Sequence, residues 1–442
     1  MNDIFNQILH HAKEKKFSSQ EDLFSEIENI YKNIILNYLK PSPLKKSYWL
    51  SDILKGNVYL KLESLNPNGS FKVRGGLNAV KKLMEMHPGK HLKICAASAG
   101  NHAQGVAFAA KELGCEAHIF LPTFAPLVKR DATEKLGAKI YLIGNNIEEA
   151  AEAALEFAQK EKAHFIHPFN NSDIILGQAT CAYEAYEQWE NIFFKENKKT
   201  DLDYYVCSVG GGGFIAGAGL FFHSHPQQLK TKIIGVEQEY YTTAMESLKS
   251  KKEVSVKPKL KTTIADGIAV GSVGNLTLKY MTPYIEKIHS VTDDAIVRAV
   301  LALCEREHII AEGAGAAAIA HVLQNLDYFY GKNTIICISG GNIDPQLLTR
   351  VIARGLTLTD RVLRVTASVS DKPGGLKKLL ETVAELGGNV LDLIHDRTYS
   401  EVRIGDVDVE LSLETRHEEH QRILIHKLEE AGFKPRQERR SQ

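Results

Sequence analysis

Apolar positions change their period three times along the chain. In SSQEDLFSEIENIYKNIILNYL, Leu23, Ile27, Ile30, Ile34 and Ile35 fall close to helical spacing behind Ser18 and Ser19, two candidate caps. From Val58 to about residue 355, short β-branched runs alternate with helical stretches. VYLKLE, LKICAAS, EAHIFLP, KIYLIG, HFIHPF, YYVCSVG, KIIGVE and TIICISG read as strands. Several are apolar on both parities, as strands are when helices cover both faces of their sheet. The alternation predicts an α/β architecture with mostly parallel sheets.

After Leu356 the order is different. TLTDRVLRVTASVSD reads as a strand, and Leu376, Leu379, Leu380, Val383 and Leu386 share one face of a helix that Gly387 and Gly388 stop. NVLDLIHDRT and DVDVELSLET alternate, a helix spans about His417 to Ala431, and a short tail follows. That order is the ferredoxin-like β-α-β-β-α-β unit if the tail supplies the last strand. The expected division is therefore 1–355, including a helical N-terminal extension over 1–40, and 361–442, with the boundary at 355–361.

Composition narrows the function classes. The 442 residues carry 54 Lys+Arg against 54 Asp+Glu, so no basic excess points to nucleic acid. With 44% apolar and 24% charged residues the chain has the balance of a folded globular protein, not of a disordered one. The longest uncharged window, Tyr204–Leu229, is long enough to raise a membrane span, but six glycines, a proline and two histidines argue against one. Six scattered cysteines, none in a C-x-x-C pair, read as reduced small hydrophobes. The N-terminal MNDIFNQILHHAKEKK lacks the pattern of a secretory signal, and the expected compartment is the cytoplasm.

Four strand-to-helix turns carry the chemistry. ESLNPNGSFKVRGG puts Lys72 in the first turn of a helix, where taken alone it reads as a solvated surface lysine. In ASAGNHAQGVA, Ser98, Gly100 and Asn101 open a small-residue helix whose free N–H groups suit a carboxylate. SVGGGGF offers consecutive glycines before a helix, a concave ring of N–H donors suited to a phosphate. It matches neither of the nucleotide fingerprints, G-x-x-x-x-G-K-[ST] and G-x-G-x-x-G. ISGGN, at Ile338–Asn342, closes the set. For the two glycine turns the competing reading is tight packing with no ligand. One lysine, one phosphate cradle and one carboxylate cradle together are what a pyridoxal phosphate enzyme acting on an amino acid requires.

From about Ser42 onward the sequence resembles the threonine ammonia-lyase (threonine dehydratase) family of fold type II pyridoxal phosphate enzymes. The likeness rests on SPLKKS, VYLKLE, SFKVRGG, SAGNHAQGVA, LPTFAPLVK, HPFNN, GQAT, VGGGGF, TIADGIAV and SGGN. It implies a two-lobed, tryptophan synthase β-like catalytic domain. It also implies Lys72 as the Schiff-base lysine, Phe71 beside the ring and Asn101 on the ring hydroxyl. Gly210, Gly211, Gly212, Gly213 and Phe214 would hold the phosphate and Ser339 face the pyridine nitrogen, with Ser98, Asn101 and His102 near the substrate carboxylate. The activity implied is dehydration and deamination of L-threonine to 2-oxobutanoate and ammonia, with L-serine to pyruvate as a secondary reaction, within isoleucine biosynthesis.

Related serine racemases carry a second serine in the S-S-G-N-H turn, where this chain has Ala99, so racemisation is expected to be weak. They also bind a divalent cation after the GVE strand. Here Glu237 is present, but QEYYTTAM lacks a clear second acid, and no metal site is assigned. The C-terminal region resembles an ACT regulatory domain. That likeness implies an amino-acid effector, isoleucine or valine, at Asp371, Gly374, Gly375 and Asn389, and a homo-oligomer, dimer or tetramer. The alternatives are a serine-preferring dehydratase or racemase and, from another class, an amino-acid-binding regulator without catalysis.

Overall fold

The computed structural model describes residues 14–125, 127–195, 200–256, 262–396 and 405–437. The chain divides into two compact units, Met1–Asp344 and Pro345–Gln442. The division falls before the 355–361 window because helix Pro345–Leu358 goes with the second unit. Periodicity shows that such a segment is helical but not which neighbour it joins.

The first unit's strands, in chain order, are β1 (Leu44–Lys46), β2 (Val58–Leu62), β3 (Lys93–Ala97), β4 (Glu116–Leu121), β5 (Lys139–Leu142), β6 (His164–Phe165), β7 (Tyr204–Ser208), β8 (Lys232–Gln238), β9 (Lys287–Val291) and β10 (Thr334–Ile338). They form two sheets. The larger has the order β1-β2-β10-β7-β8-β9 and the smaller β5-β4-β3-β6. Every pairing is parallel except β1 with β2. All eight runs read as strands are strands. β1 and β9 were not anticipated: both are edge strands with mixed burial, so neither makes a continuous apolar run.

Each residue of β2, β7 and β10 is buried, which explains why they are apolar on both parities. Around these strands pack α1 (Gln20–Ile30), α2 (Lys72–Met86), α3 (Asn101–Leu113), α4 (Ser172–Lys195), α5 (Gly213–Ser224) and α6 (Gly313–Gln324). The five N-terminal apolar positions are buried, and the Ser19 hydroxyl caps α1 by accepting the Asp22 N–H. The uncharged window around residues 204–229 is β7, a glycine turn and the buried helix α5. Among the described residues no helix is long and apolar enough to cross a membrane. Four of the six cysteines are buried, and all six are free thiols.

The most demanding interior contact is ionic. Lys61 of β2, Glu63, Arg74 of α2 and Glu184 of α4 are each 0–2% exposed. The Arg74 guanidinium donates to both Glu63 carboxylate oxygens at 2.7 and 2.9 Å and to Glu184 at 2.8 Å. Lys61 donates to Glu184, to the Ser42 carbonyl at 2.8 Å and to Gln188 at 2.8 Å. Two positive and two negative side chains leave no net buried charge, the condition under which such a group is tolerated. Burial alone would raise the Glu63 carboxyl, but the charge and hydrogen bonds of Arg74, helped by Lys61, more than offset it and leave it at about 2.

The second unit runs β11 (Val362–Ser370), α7 (Gly375–Glu385), β12 (Asn389–Asp396), β13 (Asp406–Glu414), α8 (Glu418–Glu430) and β14 (Arg436–Gln437). Its sheet order is β12-β13-β11-β14, antiparallel throughout, so the tail does supply the fourth strand. Leu363, Val365, Ala367 and Val369 alternate into a core completed by Leu379, Val383, Leu424 and Leu428.

The cluster predicts both a stability loss and its pH dependence. Glu184→Gln keeps the shape but leaves Lys61 and Arg74 with an uncompensated charge. We expect about 3–5 kcal/mol of destabilisation, read from chemical denaturation. Because the folded Glu63 value of about 2 lies below its ordinary 4.5, its contribution is complete above about pH 4.5 and lost as pH falls toward 2. Glu63→Gln should flatten the stability profile in that window. An unchanged slope, or a Glu184→Gln cost under about 1 kcal/mol, counts against this account.

Candidate active site

Three of the four motif turns leave the carboxyl ends of adjacent parallel strands, where open α/β sheets place ligands. β10 lies between β2 and β7, with Ile338 level with Leu62. The turns carrying Lys72, Ser339 and the glycine run therefore emerge side by side. The fourth, carrying Asn101, leaves β3 of the smaller sheet.

Hydrogen bonds and ring contacts join them. The Phe71 N–H donates to the Ser339 carbonyl at 3.1 Å, and the Gly341 N–H to the Gly69 carbonyl at 2.9 Å. Phe71 and Phe214 lie with ring centroids 4.1 Å apart, connecting the lysine turn to the glycine turn. Asn342 donates to the Asn68 carbonyl and to Asn101 Oδ1, each at 2.8 Å, and Asn101 Nδ2 donates to Glu312 at 2.7 Å. The Ser339 and Ser208 hydroxyls are 3.1 Å apart and buried.

Lys72 opens α2, and its Nζ donates to the Pro168 carbonyl at 3.0 Å. Removal from water pulls this amine down to about 8, against an opposing pull from the Glu312 charge. α3 comes so close that a Cβ on Gly105 would sit 2.8 Å from the Lys72 carbonyl oxygen. His102 and His167 flank the site, and burial first, then neighbouring positive charge, holds both near 3, so both are neutral. A His102 ring nitrogen is hydrogen-bonded to the Ile166 carbonyl at 2.9 Å. Ser98 Oγ accepts the Gly100 N–H at 3.1 Å at the start of α3.

The glycine turn is closely packed. Gly212 has φ +87°, and a Cβ on Gly211 would meet the Phe169 ring at 2.2 Å. Gly211 and Gly212 are thus required by packing and by backbone conformation, while the first-turn N–H groups of α5 have no intrahelical partners.

Two residues have roles that motif spacing did not reveal. Glu237 accepts the Ala244 and Met245 N–H groups at 2.7 and 2.8 Å, capping helix Thr243–Ser250. Glu312, at the start of α6, is buried at the centre of the asparagine network. A lone acid opening the small-residue run AEGAGAAA is the signal by which it stands out. In the second unit a cavity of about 340 Å³ is lined by Asp371, Gly374, Leu376 and His395, among others. Neither Gly375 nor Asn389 lines it; the Asn389 amide donates to Glu414 at 3.0 Å.

Residues 35–341 match the family model described as pyridoxal-phosphate dependent enzyme. The chain belongs to the pyridoxal-phosphate dependent enzyme family. It is 41% identical over 411 residues to an L-threonine ammonia-lyase of Thermotoga maritima, covering 92% of this chain and 97% of that protein. The processed form of threonine deaminase isoform 2 from Solanum lycopersicum superposes with a TM-score of 0.68 at 32% identity, over 78% of this chain and 91% of that one. A serine racemase from Dictyostelium discoideum does so with 0.64 at 29% identity, over 73% and 98%.

The residues fit the family's cofactor. A half-buried amine near 8 stands ready to react with an aldehyde, and the Gly210–Gly213 turn leads into α5, whose first N–H groups have no intrahelical partner to compete with an anion. Gly211→Ala should weaken cofactor binding by driving into Phe169, and Phe169→Ala in the same chain should recover part of that loss. Cofactor titration of the two proteins decides it. No recovery would place the fault in approach to the anion rather than in packing.

Proposed function

We propose that the chain is a threonine ammonia-lyase, converting L-threonine to 2-oxobutanoate and ammonia and L-serine to pyruvate. The observation that carries this reading is the junction of three turns: Lys72 opens α2 with its amine on the Pro168 carbonyl, the adjacent Phe71 N–H donates to the Ser339 carbonyl, and the Phe71 ring lies on Phe214 of the glycine turn. The likeness to the Thermotoga maritima protein over nearly the whole chain supports the substrate.

Pyridoxal phosphate, when bound, draws electrons from the amino acid's Cα and makes its proton removable. Lys72 would hold the cofactor at rest and, once released by substrate, take the Cα proton through an amine already near neutrality. The Gly210–Phe214 N–H groups would bind the phosphate. The α3 amino terminus, with Ser98 and Asn101, would bind the substrate carboxylate, and neutral His102 braces that turn through Ile166. Ser339 and Ser208 are neutral hydroxyls, so the ring nitrogen they face would not be held protonated, which favours prompt loss of the β-hydroxyl. Ala99 provides no acid or base on the opposite face, which disfavours the racemase alternative. The buried lysine chemistry argues against a purely binding regulator.

Lys72→Ala should retain cofactor through the glycine turn yet lose its borohydride-stable attachment and its turnover. Lys72→Arg should fail equally, since a guanidinium stays protonated. Near-wild-type turnover in either variant removes the mechanism. Steady-state kinetics on threonine and serine, with chiral analysis of residual serine, separate the lyase from the serine-preferring and racemising alternatives.

For the second unit we infer an ACT-like regulatory role, with isoleucine or valine as effector. The β-α-β-β-α-β order supports it, as does the likeness to the Thermotoga maritima protein, which is longer than the first unit. So does a cavity at the Asp371–Gly374 turn into which His395 contributes, its Nε2 buried without a hydrogen-bond partner. An effector acts only through unequal affinity for two states. Isoleucine or valine should shift the threonine dependence of the wild type, and His395→Ala should shift it several-fold less while leaving unliganded activity intact. Equal sensitivity in both proteins would move the effector elsewhere.

A further inference from the structure

Glu312 belongs to none of the four motif turns, yet touches two of them. Its Oε1 accepts the Asn101 amide at 2.7 Å, and its own N–H donates to the Gly340 carbonyl at 3.2 Å. A Cβ on Gly340 would lie 2.1 Å from Oε1 and 3.1 Å from Asn101 Nδ2, so this glycine is what admits the carboxylate to the site. Gly340 in turn bridges to Ser70, two residues before Lys72.

The hydrogen bonds have one direction. Asn342 Nδ2 is committed as donor to the Asn68 carbonyl, to Asn101 Oδ1 and, at 3.3 Å, to Gln104 Oε1. Asn101 Oδ1 is therefore an acceptor toward Asn342, and its Nδ2 points the other way, with one hydrogen on Glu312. Without an acceptor at 312 the amide loses the partner that fixes this orientation. The second amide hydrogen is left to serve whatever occupies the site.

We propose that Glu312 is a positioning residue for the reaction: through the hydrogen bond it accepts, it fixes the Asn101 amide toward the cofactor. Its carboxylate charge also acts on the Lys72 nitrogen. The proposal rests on Lys72 and Asn101 serving the cofactor and not on which amino acid is the substrate. The charged and titratable groups that act on Glu312 are Asp266 of the turn Asp266–Ile268, Lys129 of helix Leu127–Lys135, and Lys72 of α2. Those acting on Lys72 or influenced by it are Glu312 and the neutral His102 and His167. Lys129 and Asp266 are themselves paired at 2.5 Å, which mutes both. Burial, then Asp266, pushes Glu312 up to about 7, so it is ionised over the range in which an amine near 8 changes charge.

Three variants of the full-length holoenzyme separate the hydrogen bond from the charge. Glu312→Gln keeps an acceptor and removes the charge. Cofactor affinity should stay within about threefold, while the pH midpoint of the cofactor's visible band falls by about one unit, since a cation loses its nearby anion. The same displacement should appear in the pH profile of kcat/KM. Glu312→Asp keeps the charge but falls short of Asn101. Its midpoint should stay close to wild type while cofactor affinity drops roughly tenfold. Glu312→Ala should show both effects. An unmoved midpoint in Glu312→Gln overturns the charge role, and unchanged affinity in Glu312→Asp overturns the hold on Asn101. If Glu312→Ala fails to fold, the other two variants still decide. A wild-type band with no pH dependence and no attachment to Lys72 would instead overturn the cofactor reading beneath the proposal.

Discussion

Everything near Lys72 depends on a cluster of four charges that water never reaches. Arg74 lies two residues beyond Lys72 on α2, and its guanidinium is bound on both sides by Glu63 and Glu184. Glu63 follows β2 directly, and Glu184 belongs to α4, so one planar group ties a strand end to two helices. An apolar residue of similar size would fill the volume, but it would not specify which way α2 rotates. The lysine's aim is therefore set by an ion cluster that does no chemistry. Its cost is limited because the charges cancel and the hydrogen bonds of Ser42 and Gln188 complete it.

The site beyond that cluster is unusual in how little permanent charge it holds. The histidines at 102 and 167 are neutral, the serine pair at 208 and 339 is neutral, and the lysine is near its transition. Burial brings this about by penalising each isolated charge. An amine that, in the proposed reaction, would alternate between nucleophile and base is better served by such surroundings than by a fixed ion pair. Glu312 is the exception: burial raises its carboxyl only to about 7, so it carries charge where the lysine changes its own.

Much of this was legible in the residues. Both-parity apolar runs located the strands that end up central and covered on both faces. The two edge strands of the larger sheet escaped, since Leu44–Lys46 and Lys287–Val291 are only partly buried and carry no such run. The four turns could be recognised because glycine, serine and asparagine there answer to backbone geometry, which leaves a local trace. Glu312 left a weaker one: its role depends on Gly340, Asn101 and Asn342, which lie far from it in sequence. The same holds for His395, whose place at the second-unit cavity is decided by strand pairing and not by local pattern. The unit boundary was displaced because helix Pro345–Leu358 has the same period whichever neighbour it joins.

The strand order has a consequence for synthesis. β10 is the last strand of the first unit to leave the ribosome, yet it belongs between β2 and β7, near the middle of the six-stranded sheet. Until residues 334–338 emerge, β2 and β7 each present an unpaired, largely apolar edge, and the nascent chain carries two open templates for mispairing. Insertion of β10 closes both edges at once and brings Ser339 against Phe71 in the same event. A chain released early would therefore be no partial enzyme: the step that completes the sheet also assembles the site, and the cell meets either a sticky intermediate or a finished catalyst.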